Sequence, residues 1–227
     1  MLKLMTYNIK NNYKEKTFKR IDKIIKIIKE ENPDIIGLQE VNFKVKNYLK
    51  DNLKEYQIFG KSRYQNNKIY DEYNIVLIKK NITVLKTETY KLYPKHKHAF
   101  FSLFPRIATQ VLIKYQNKEI HIFNTHLDVL FNYTRKKELE ILNEKIKKEE
   151  NIIIMGDFNM TPQNKIFQKL TSYYKNINIV TQTNIHRKHP IDYILISNNI
   201  TYENTKIINS KEMPSDHFPI TVIITNL

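Results

Sequence analysis

The chain has 227 residues and a mass of 27.4 kDa, which is enough for one large domain. Its 38 Lys and Arg exceed its 23 Asp and Glu, so the formal net charge is +15. The absence of cysteine excludes disulfides, thiolate metal sites and a cysteine nucleophile, and the three glycines (Gly37, Gly60 and Gly156) cannot form a G-x-G-x-x-G dinucleotide loop or a P-loop.

The first clear element is an amphipathic helix. Isoleucines recur at spacings of three and four over residues 17–31, and Thr17 is the expected N-cap. Pro33 ends this helix, because proline disfavours helical geometry in the residue before it. The apolar segment 34–38 is then predicted to form a short buried strand that leads to Glu40.

The second half of the chain repeats this plan. Residues 134–149 predict a helix with leucines along one face, and an apolar strand follows it. Residues 35–42 can be aligned with residues 152–159, which matches Glu40 with Asp157. This indicates two halves that each place a carboxylate at a strand end. Chance similarity in an isoleucine-rich chain is the alternative.

The remaining pattern is rich in strands, which are predicted at 2–9, 57–60, 74–79, 82–90, 107–115, 119–125, 191–197, 200–208 and 219–225. Strand-rich halves that each carry helices favour an α/β or α+β class with two packed sheets and helices outside. No linker-like stretch divides the chain, so we predict one domain over residues 1–227.

The sequence gives no sign of membrane insertion or export. No apolar run approaches the roughly 20 residues needed to span a bilayer. The first residues also lack the pattern of a secretory signal, so a cytoplasmic location is expected.

Polar residues follow apolar runs at five places, where a carboxylate is costly unless it is paired or bound to a metal. These places are Asn8, Glu40, 124–128, 156–159 and 215–217. Each alone is a common turn, cap or core feature. Together they offer Asn, Asp and Glu oxygens that suit Mg²⁺ or Mn²⁺, and histidines that suit proton transfer and oxyanion stabilisation. The set predicts metal-assisted attack of water on a phosphoester.

In their order and spacing, six motifs resemble the endonuclease/exonuclease/phosphatase superfamily, which has the deoxyribonuclease-I-like fold. The motifs are Thr6-Tyr7-Asn8, Leu38-Gln39-Glu40, Asn124-Thr125-His126-Leu127-Asp128, Gly156-Asp157-Phe158-Asn159, Ile191-Asp192-Tyr193-Ile194 and Ser215-Asp216-His217-Phe218-Pro219. The resemblance implies a four-layer αββα sandwich of two packed mixed sheets. It also implies a divalent-metal-dependent phosphoesterase that uses Mg²⁺, with Mn²⁺ as the alternative ion.

The resemblance implies roles for the residues of the metal side. Glu40 is expected to be the principal metal ligand, Asn8 to support the metal or the phosphate, and Asp216 to be a second metal-side carboxylate. Asp157 is expected to position or activate the water, or to protonate the leaving group. Asn159 is expected to bind a phosphate oxygen.

The histidines also receive roles from the resemblance. Asp192 is expected to hydrogen-bond His217 and hold its tautomer, so that His217 acts as a general base or stabilises charge on the phosphoryl group. His126 is expected to contact the phosphate from the other side, with Glu72 as its partner. Arg106 stands where family members often carry a substrate-side arginine.

One position departs from the family pattern. Tyr73 replaces the glycine that family members often carry in this segment. A bulky ring there either reshapes the floor of the site or faces outward.

The motifs leave the substrate open. The net charge and the Lys/Tyr/Phe-rich segments 61–68 and 90–101 favour a nuclease, because lysines contact phosphates and rings stack on bases. The lysine bias of an AT-rich genome is a competing explanation of the charge. The alternative is a phospholipid (sphingomyelinase-like) or small-molecule (inositol phosphate-like) phosphoesterase. In the phospholipid enzyme, the run Phe100–Phe104 would enter an anionic membrane surface. Core packing is the competing interpretation of that run.

A third possibility is a binding module of the same fold that has lost its metal ligands. All expected ligands are present, which disfavours such an inactive module. No obligate protein partner is predicted.

Overall fold

The computed structural model describes residues 1–66, 71–93, 104–147, 149–177, 179–210 and 212–227. The segments 61–68 and 90–101 and the run Phe100–Phe104 lie partly outside this range. The elements in chain order are β1 (Leu2–Asn8), α1 (Lys19–Glu31), β2 (Ile35–Asn42), α2 (Phe43–Asn52), β3 (Tyr56–Phe59), β4 (Glu72–Lys79), β5 (Thr83–Lys91), β6 (Ile107–Tyr115), β7 (Lys118–His126), α3 (Asn132–Ile146), β8 (Ile152–Asp157), α4 (Lys165–Thr171), β9 (Lys175–Asn176), β10 (Asp192–Ile196), β11 (Thr201–Ile207) and β12 (Ile220–Asn226).

Within the described residues, the strands form two six-stranded sheets that follow one plan. The first sheet has the order β11-β12-β1-β2-β4-β3 and the second the order β5-β6-β7-β8-β10-β9. Each contains a parallel pair, β1 with β2 or β7 with β8, followed by an antiparallel strand, β4 or β10. The aligned segments 35–42 and 152–159 therefore hold equivalent places in the two sheets.

Apolar side chains divide the molecule into layers. Val76 and Ile122 belong to a buried cluster between the inner faces of the sheets. Ile24 of α1 and Leu49 of α2 pack on the outer face of the first sheet, and Leu142 of α3 packs on the outer face of the second. Full burial of each such side chain contributes roughly 1.5–3 kcal/mol. The four layers confirm the predicted αββα sandwich of two mixed sheets.

The predicted cap of α1 differs from the structure. The helix begins at Lys19, and the residue before it, Phe18, makes no capping hydrogen bond through its side chain. Thr17 therefore lies outside the helix. The ring of Phe18 instead stacks on Tyr48 of α2, with centroids 4.0 Å apart, so packing between helices sets the start of α1.

Two short helices, α2 and α4, escaped the sequence analysis. In α2 only Val45 and Leu49 are buried, too few to show a helical period. The signal was in the caps: the side chains of Asn42 and Asn164 accept hydrogen bonds from the first turns of α2 and α4. The longest described helix, α3, has 15 residues, and no helix in the described part of the chain is long and apolar enough to cross a bilayer.

Gly156 allows β8 to pass close to β7. Its φ is +145°, and a Cβ built at this position would lie 1.9 Å from the carbonyl oxygen of Thr125. Residues with a side chain rarely adopt this φ, and backbone cannot yield as a flexible side chain can. The residue that precedes Asp157 must therefore be glycine.

We expect Gly156→Ala to lower the free energy of unfolding by on the order of 3 kcal/mol or more, because it combines backbone strain with a backbone clash. Gly37→Ala is the matched control, since its φ is not positive and the three atoms nearest to its added Cβ belong to the side chains of Met155 and Asn124, not to the backbone. Urea unfolding measures both. Equal losses in the two variants would contradict the explanation.

The loop between β7 and α3 is held by buried polar side chains of the helix. The Glu138 carboxylate accepts a hydrogen bond from the backbone N–H of Asp128 at 2.8 Å, and Arg135 donates to the Asp128 carbonyl at 2.8 Å. Glu138 is only 3% exposed, and its burial raises its pKa to about 7. The loop is therefore held by a hydrogen bond to a carboxyl group that ionises near neutral pH.

A carboxyl group whose pKa is higher in the folded than in the unfolded chain binds its proton more tightly when folded. The free energy of unfolding therefore falls as pH rises from about 4.5 through about 7. Glu138→Gln keeps an acceptor for Asp128 but does not ionise. From pH ~5 to pH ~8 we expect this variant to gain stability relative to the parent protein, on the order of 3 kcal/mol.

Urea unfolding at the two pH values measures this gain. Glu140→Gln is the control on the same helix, because Glu140 is exposed and its hydrogen bond to Lys137 lowers its pKa. It should show no gain at the higher pH. A stability difference between Glu138→Gln and the parent that is independent of pH would contradict the assignment.

Candidate active site

Polar residues from both sheets meet at one edge of the sandwich. Asn8 ends β1 and His126 ends β7. The last residue of β8, Asp157, pairs with His126 on one side and with Asp192, the first residue of β10, on the other. Parallel strands end at the same edge of a sheet, so the shared plan of the two sheets brings their polar ends together.

Asn8 joins the two sheets. Its side-chain Nδ2 donates to Oε1 of Glu40 at 3.0 Å and to Oδ2 of Asp157 at 3.1 Å. The Asn8 Oδ1 accepts from the backbone N–H of Lys10 at 3.0 Å, and its carbonyl accepts from Oγ of Ser215 at 2.7 Å. Asn8 is fully buried. One amide group therefore sets the separation of two carboxylates from different sheets.

Glu40 lies at an irregularity of β2. Its φ is +59°, and the pairing of β2 with β4 shifts register between Leu38 and Val41. Such strained positions are frequent at functional sites, where the surrounding structure holds them. Its Oε2 accepts from the backbone N–H of Asn11 at 2.9 Å. Among the described residues its one ion-pair contact is a long one, 3.9 Å to His126, so no strong cation neutralises Glu40.

The structure brings Asp192, His217 and Asp157 together in a buried row. Nδ1 of His217 lies 2.9 Å from Oδ2 of Asp192, and the hydroxyl of Thr183 donates to the same carboxylate oxygen at 2.6 Å. Nε2 of His217 lies 3.7 Å from Oδ2 of Asp157. Because Asp192 occupies Nδ1, Nε2 is the ring nitrogen that faces the site.

This row has strongly shifted pKa values. Burial alone lowers the pKa of His217, but the carboxylates of Asp192, Asp157 and Asp216 outweigh burial and raise it to about 10. Burial and the charge of Asp192 raise the pKa of Asp157 to about 7. The imidazole of His217 is thus held as a cation, beside a carboxyl group in the range useful for proton transfer near neutral pH.

His126 contacts the same carboxylate from the other side. Its Nε2 lies 3.7 Å from Oδ2 of Asp157. Burial and the positive charges of Arg106 and His217 hold the pKa of His126 well below its ordinary value. Asp157 is therefore placed between a neutral and a charged imidazole.

The structure pairs Glu72 differently from the expected partnership with His126. Oε2 of Glu72 lies 3.0 Å from Nη2 of Arg63, and Oε1 accepts from Nδ2 of Asn11 at 3.1 Å. Glu72 makes no ion pair with His126, within the part of the chain that is described. The reason is local: β4 places Glu72 opposite Asn42, where Arg63 and Asn11 occupy its two carboxylate oxygens.

The remaining expected residues lie at the same edge. The backbone N–H of Asn159 donates to Oδ1 of Asp157 at 2.9 Å, and the Asn159 side chain donates to a backbone carbonyl. Asp216 forms an ion pair of 2.9 Å with Lys10. Arg106 is 7% exposed, and its Nε has no hydrogen-bond partner among the described residues.

Arg20 of α1 holds two loops of the site and was missed by the sequence analysis. Its Nη1 donates to the carbonyls of Ile9 and Pro214, and its Nη2 donates to the carbonyl of Lys10. Nε donates to Glu15 at 3.0 Å. Arg20 therefore ties the loop that follows Asn8 to the loop that precedes His217.

Three more contacts escaped sequence reasoning because they come from loops without a pattern. Thr183 supports Asp192, and Arg63 pairs with Glu72. Asn11 supports Glu40, and its position three residues after Asn8 was the only available signal.

The donor set fits a divalent cation. Glu40 and Asp157 are carboxylates from different sheets that share one neutral donor, the amide of Asn8. Asp157, Asp192 and His217 also lie close together, with one oxygen or nitrogen of each within 4.8 Å of the others, but His217 is held as a cation and so does not offer a ring nitrogen to a metal. Buried carboxylates without a balancing cation are costly, and oxygen donors of this kind suit Mg²⁺ or Mn²⁺.

Comparison with solved structures shows the same fold in several proteins. An endonuclease/exonuclease/phosphatase from Bacteroides vulgatus has a TM-score of 0.89 and 24% identity, over 100% of this chain and 99% of that one. The mannosyl-6-phosphatase Bt3783 of Bacteroides thetaiotaomicron has a TM-score of 0.84 and 19% identity, over 99% and 100%. D. rerio TDP2 complexed with a single-strand DNA product has a TM-score of 0.81 and 16% identity, over 99% of each chain.

A search of curated proteins found no match to this sequence. The sequence model of the Endonuclease/Exonuclease/phosphatase family, however, matches residues 5–217. This span includes every residue of the site described above, from Asn8 to His217. The chain belongs to the endonuclease/exonuclease/phosphatase family and is a phosphoester hydrolase.

Proposed function

We propose that the protein is a divalent-metal-dependent phosphodiesterase that hydrolyses nucleic acid. The observation that carries the chemistry is the position of Asp157, which lies 3.7 Å from both His126 and His217. Glu40 shares the amide donor of Asn8 with this carboxylate. A proton acceptor, hydrogen-bond donors and oxygen ligands thus surround one small space.

Asp157 and His217 have different roles in the reaction: Asp157 accepts a proton, and His217 stabilises charge on the phosphoryl group. Water attacks phosphorus and forms a new P–O bond, while the bond from phosphorus to the leaving oxygen breaks. Asp157 accepts the proton of the water, and the leaving oxygen, on the opposite face of phosphorus, takes a proton from solvent, so the products are a phosphomonoester and an alcohol. Nε2 of His217 donates a hydrogen bond to a phosphoryl oxygen as charge develops, while Asp192 holds Nδ1.

Glu40 and Asn8 are the residues that we propose hold the cation, Mg²⁺ or Mn²⁺, with Asp216 as a further carboxylate on that side. When bound, the cation supplies positive charge that stabilises the phosphoryl oxygens in the transition state. The neutral donors on Glu40 leave its charge available for this purpose.

The phosphate is contacted from the other side by His126, Asn159 and Arg106. His126 is neutral and donates one hydrogen bond from a ring nitrogen. The guanidinium of Arg106 is more than nine-tenths buried, and its Nε lacks a described protein partner. An anionic phosphate satisfies such a group, because arginine binds phosphate through charge-assisted hydrogen bonds.

Exposed rings beside the site favour nucleic acid as substrate. Tyr64 and Phe104 are 41% and 45% exposed. The guanidinium of Arg63 lies 4.6 Å from the centre of the Phe104 ring, and Arg63 also pairs with Glu72 at the site. Unpaired bases stack on exposed rings, and the net charge of +15 attracts a phosphate backbone.

The fold does not select the substrate. Both a mannosyl-6-phosphatase and a TDP2 complexed with single-strand DNA share it. The proposal of a nucleic acid substrate therefore rests on the net charge and on the exposed rings beside the site. Binding of a small phosphosugar requires neither feature.

A substrate panel tests the proposal in the presence of Mg²⁺ or Mn²⁺. It contains single-stranded DNA, duplex DNA, RNA, sphingomyelin, inositol phosphates and sugar phosphates. We expect hydrolysis of nucleic acid that EDTA abolishes. Turnover confined to sphingomyelin or to small phosphates would contradict the substrate, and full activity in EDTA would contradict the metal requirement.

The same assay includes two site variants. Glu40→Gln and His217→Ala should each lower kcat at least ~10², the scale of losing a group that acts on the transition state. Glu203→Gln is the control, because Glu203 is an exposed carboxylate on β11. Near-normal turnover in either site variant would show that the assigned roles are incorrect.

Arg20→Ala should lower kcat by roughly 10² with a smaller change in KM, because small misplacements of reacting groups are costly. Arg20→Lys should recover part of this loss, since lysine retains a charged donor. The control is Lys23→Ala on the same helix, whose ammonium forms an exposed ion pair with Glu212. A drop in melting temperature without a drop in kcat would show that Arg20 contributes to stability only and does not position the site residues.

A further inference from the structure

A basic cleft lies along α2 on the outer side of the first sheet. Two adjoining cavities of about 570 and 240 Å³ share Lys46 and Asn47 in their walls. The first is also lined by Lys50, Lys54 and Lys80. The second extends to Lys61, Gly60 and Ser62 at the start of the loop that follows β3.

The lysines of this cleft form a row. Lys46 and Lys50 lie one turn apart on α2, with side chains about 6 Å from each other. Lys54 follows just beyond the end of this helix and lines the same cavity. Lys80 faces them from the turn after β4. Among the described residues, no carboxylate lines either cavity and none of these four lysines forms an ion pair.

One lysine of the row is anchored and three are free to meet a ligand. Nζ of Lys46 donates to the carbonyl of Gly60 at 2.8 Å and lies 4.6 Å from the centre of the Tyr73 ring. Lys50, Lys54 and Lys80 are exposed. Tyr73, which Lys46 contacts, is buried in the apolar cluster between the first sheet and α2. Its ring therefore lies on the outer face of that sheet, away from the floor of the active site.

The row is a local feature of α2, because the neighbouring helix differs. The cavity beside α1 is lined by Lys26 and Lys29 together with Asp22 and Glu30. Lys26 and Glu30 also form an ion pair across one helical turn. Charges of both signs alternate on α1, so its lysines provide a matched comparison.

A series of contacts connects the cleft to the active site. Ser62 lines the second cavity, and the next residue, Arg63, pairs with Glu72. Asn11 donates to Glu72 through its side chain and to Glu40 through its backbone N–H. This short series of contacts places the cleft near Glu40, so a polymer of several nucleotides whose reacting phosphate lies there is long enough to reach the cleft.

We propose that this cleft binds the sugar-phosphate backbone of a nucleic acid strand beyond the phosphate that is cleaved. The inference rests on the proposed function and deepens it, since it requires a polymeric substrate. A row of lysines in a groove suits a linear polyanion, to which each lysine contributes by counterion release. A membrane surface fits less well, because Phe43 is the only exposed large hydrophobic side chain among the described residues of the lining.

The test compares Lys50→Ala/Lys54→Ala with Lys26→Ala/Lys29→Ala, which removes the same charge from α1. Hydrolysis of a long single-stranded oligonucleotide and of a dinucleotide is measured over a range of salt concentrations. For the α2 variant we expect KM for the long strand to rise roughly tenfold at low salt, and the slope of log KM against log salt to fall by about 1.4. Its turnover of the dinucleotide should equal that of the parent protein, which also shows that it folds.

Equal behaviour of the two double variants on the long strand would overturn the proposal. If the parent protein cleaves no nucleic acid, the proposed function fails, and fluorescence anisotropy of the same labelled oligonucleotide then tests the cleft by binding alone. If the α2 variant bound the oligonucleotide as tightly as the parent protein does, the proposal that the cleft binds nucleic acid would be overturned as well. If the α2 variant instead lost binding only to vesicles that contain phosphatidylserine, the ligand of the cleft would be a membrane surface and the nucleic acid proposal would be overturned.

Discussion

Two amide side chains buried between the sheets determine how the halves of the site meet. Nε2 of Gln39 donates to Oδ1 of Asn124 at 2.6 Å, and Nδ2 of Asn124 donates to the carbonyl of Leu38 at 2.9 Å. Glu40 follows Gln39 directly, and His126 follows Asn124 by two residues. Apolar contacts between sheets are non-directional and do not prevent sliding, whereas buried amides are costly to leave unpaired. These bonds therefore hold the site residues of one sheet in register with those of the other.

The two sheets repeat one plan but carry different chemistry at their ends. Equivalent strands end in Asn8 and His126, and the next strands of each sheet carry Glu40 and Asp157. An amide beside a carboxylate suits a cation, whereas an imidazole beside a carboxylate suits proton transfer. The division of labour proposed for the site follows from this difference at otherwise equivalent positions.

The sequence was sufficient for the fold, and most of the residues that it singled out lie together at one edge of the sandwich, because apolar periodicity and the polar ends of strands are local signals. It was insufficient where contacts join distant segments. Arg20 reaches Pro214 across 194 residues, and no spacing in the chain encodes that approach. Glu72 was matched with His126 by position in the motif order, yet Arg63 and Asn11, which come from loops, occupy its carboxylate oxygens. Packing between helices likewise displaced Thr17 as a cap.

The repeated plan has a consequence for how such a chain could arise or be divided. Neither sheet alone contains the whole site, because Glu40 belongs to the first sheet and Asp157 to the second. The bridging amide of Asn8 has a partner in each half, so its geometry exists only in the assembled sandwich. Strands β11 and β12, from the end of the chain, complete the first sheet beside β1, so no single cut in the chain separates the two sheets. A fragment that ended after β4 would keep Asn8 and Glu40 but would lose both the opposing sheet and two strands of its own.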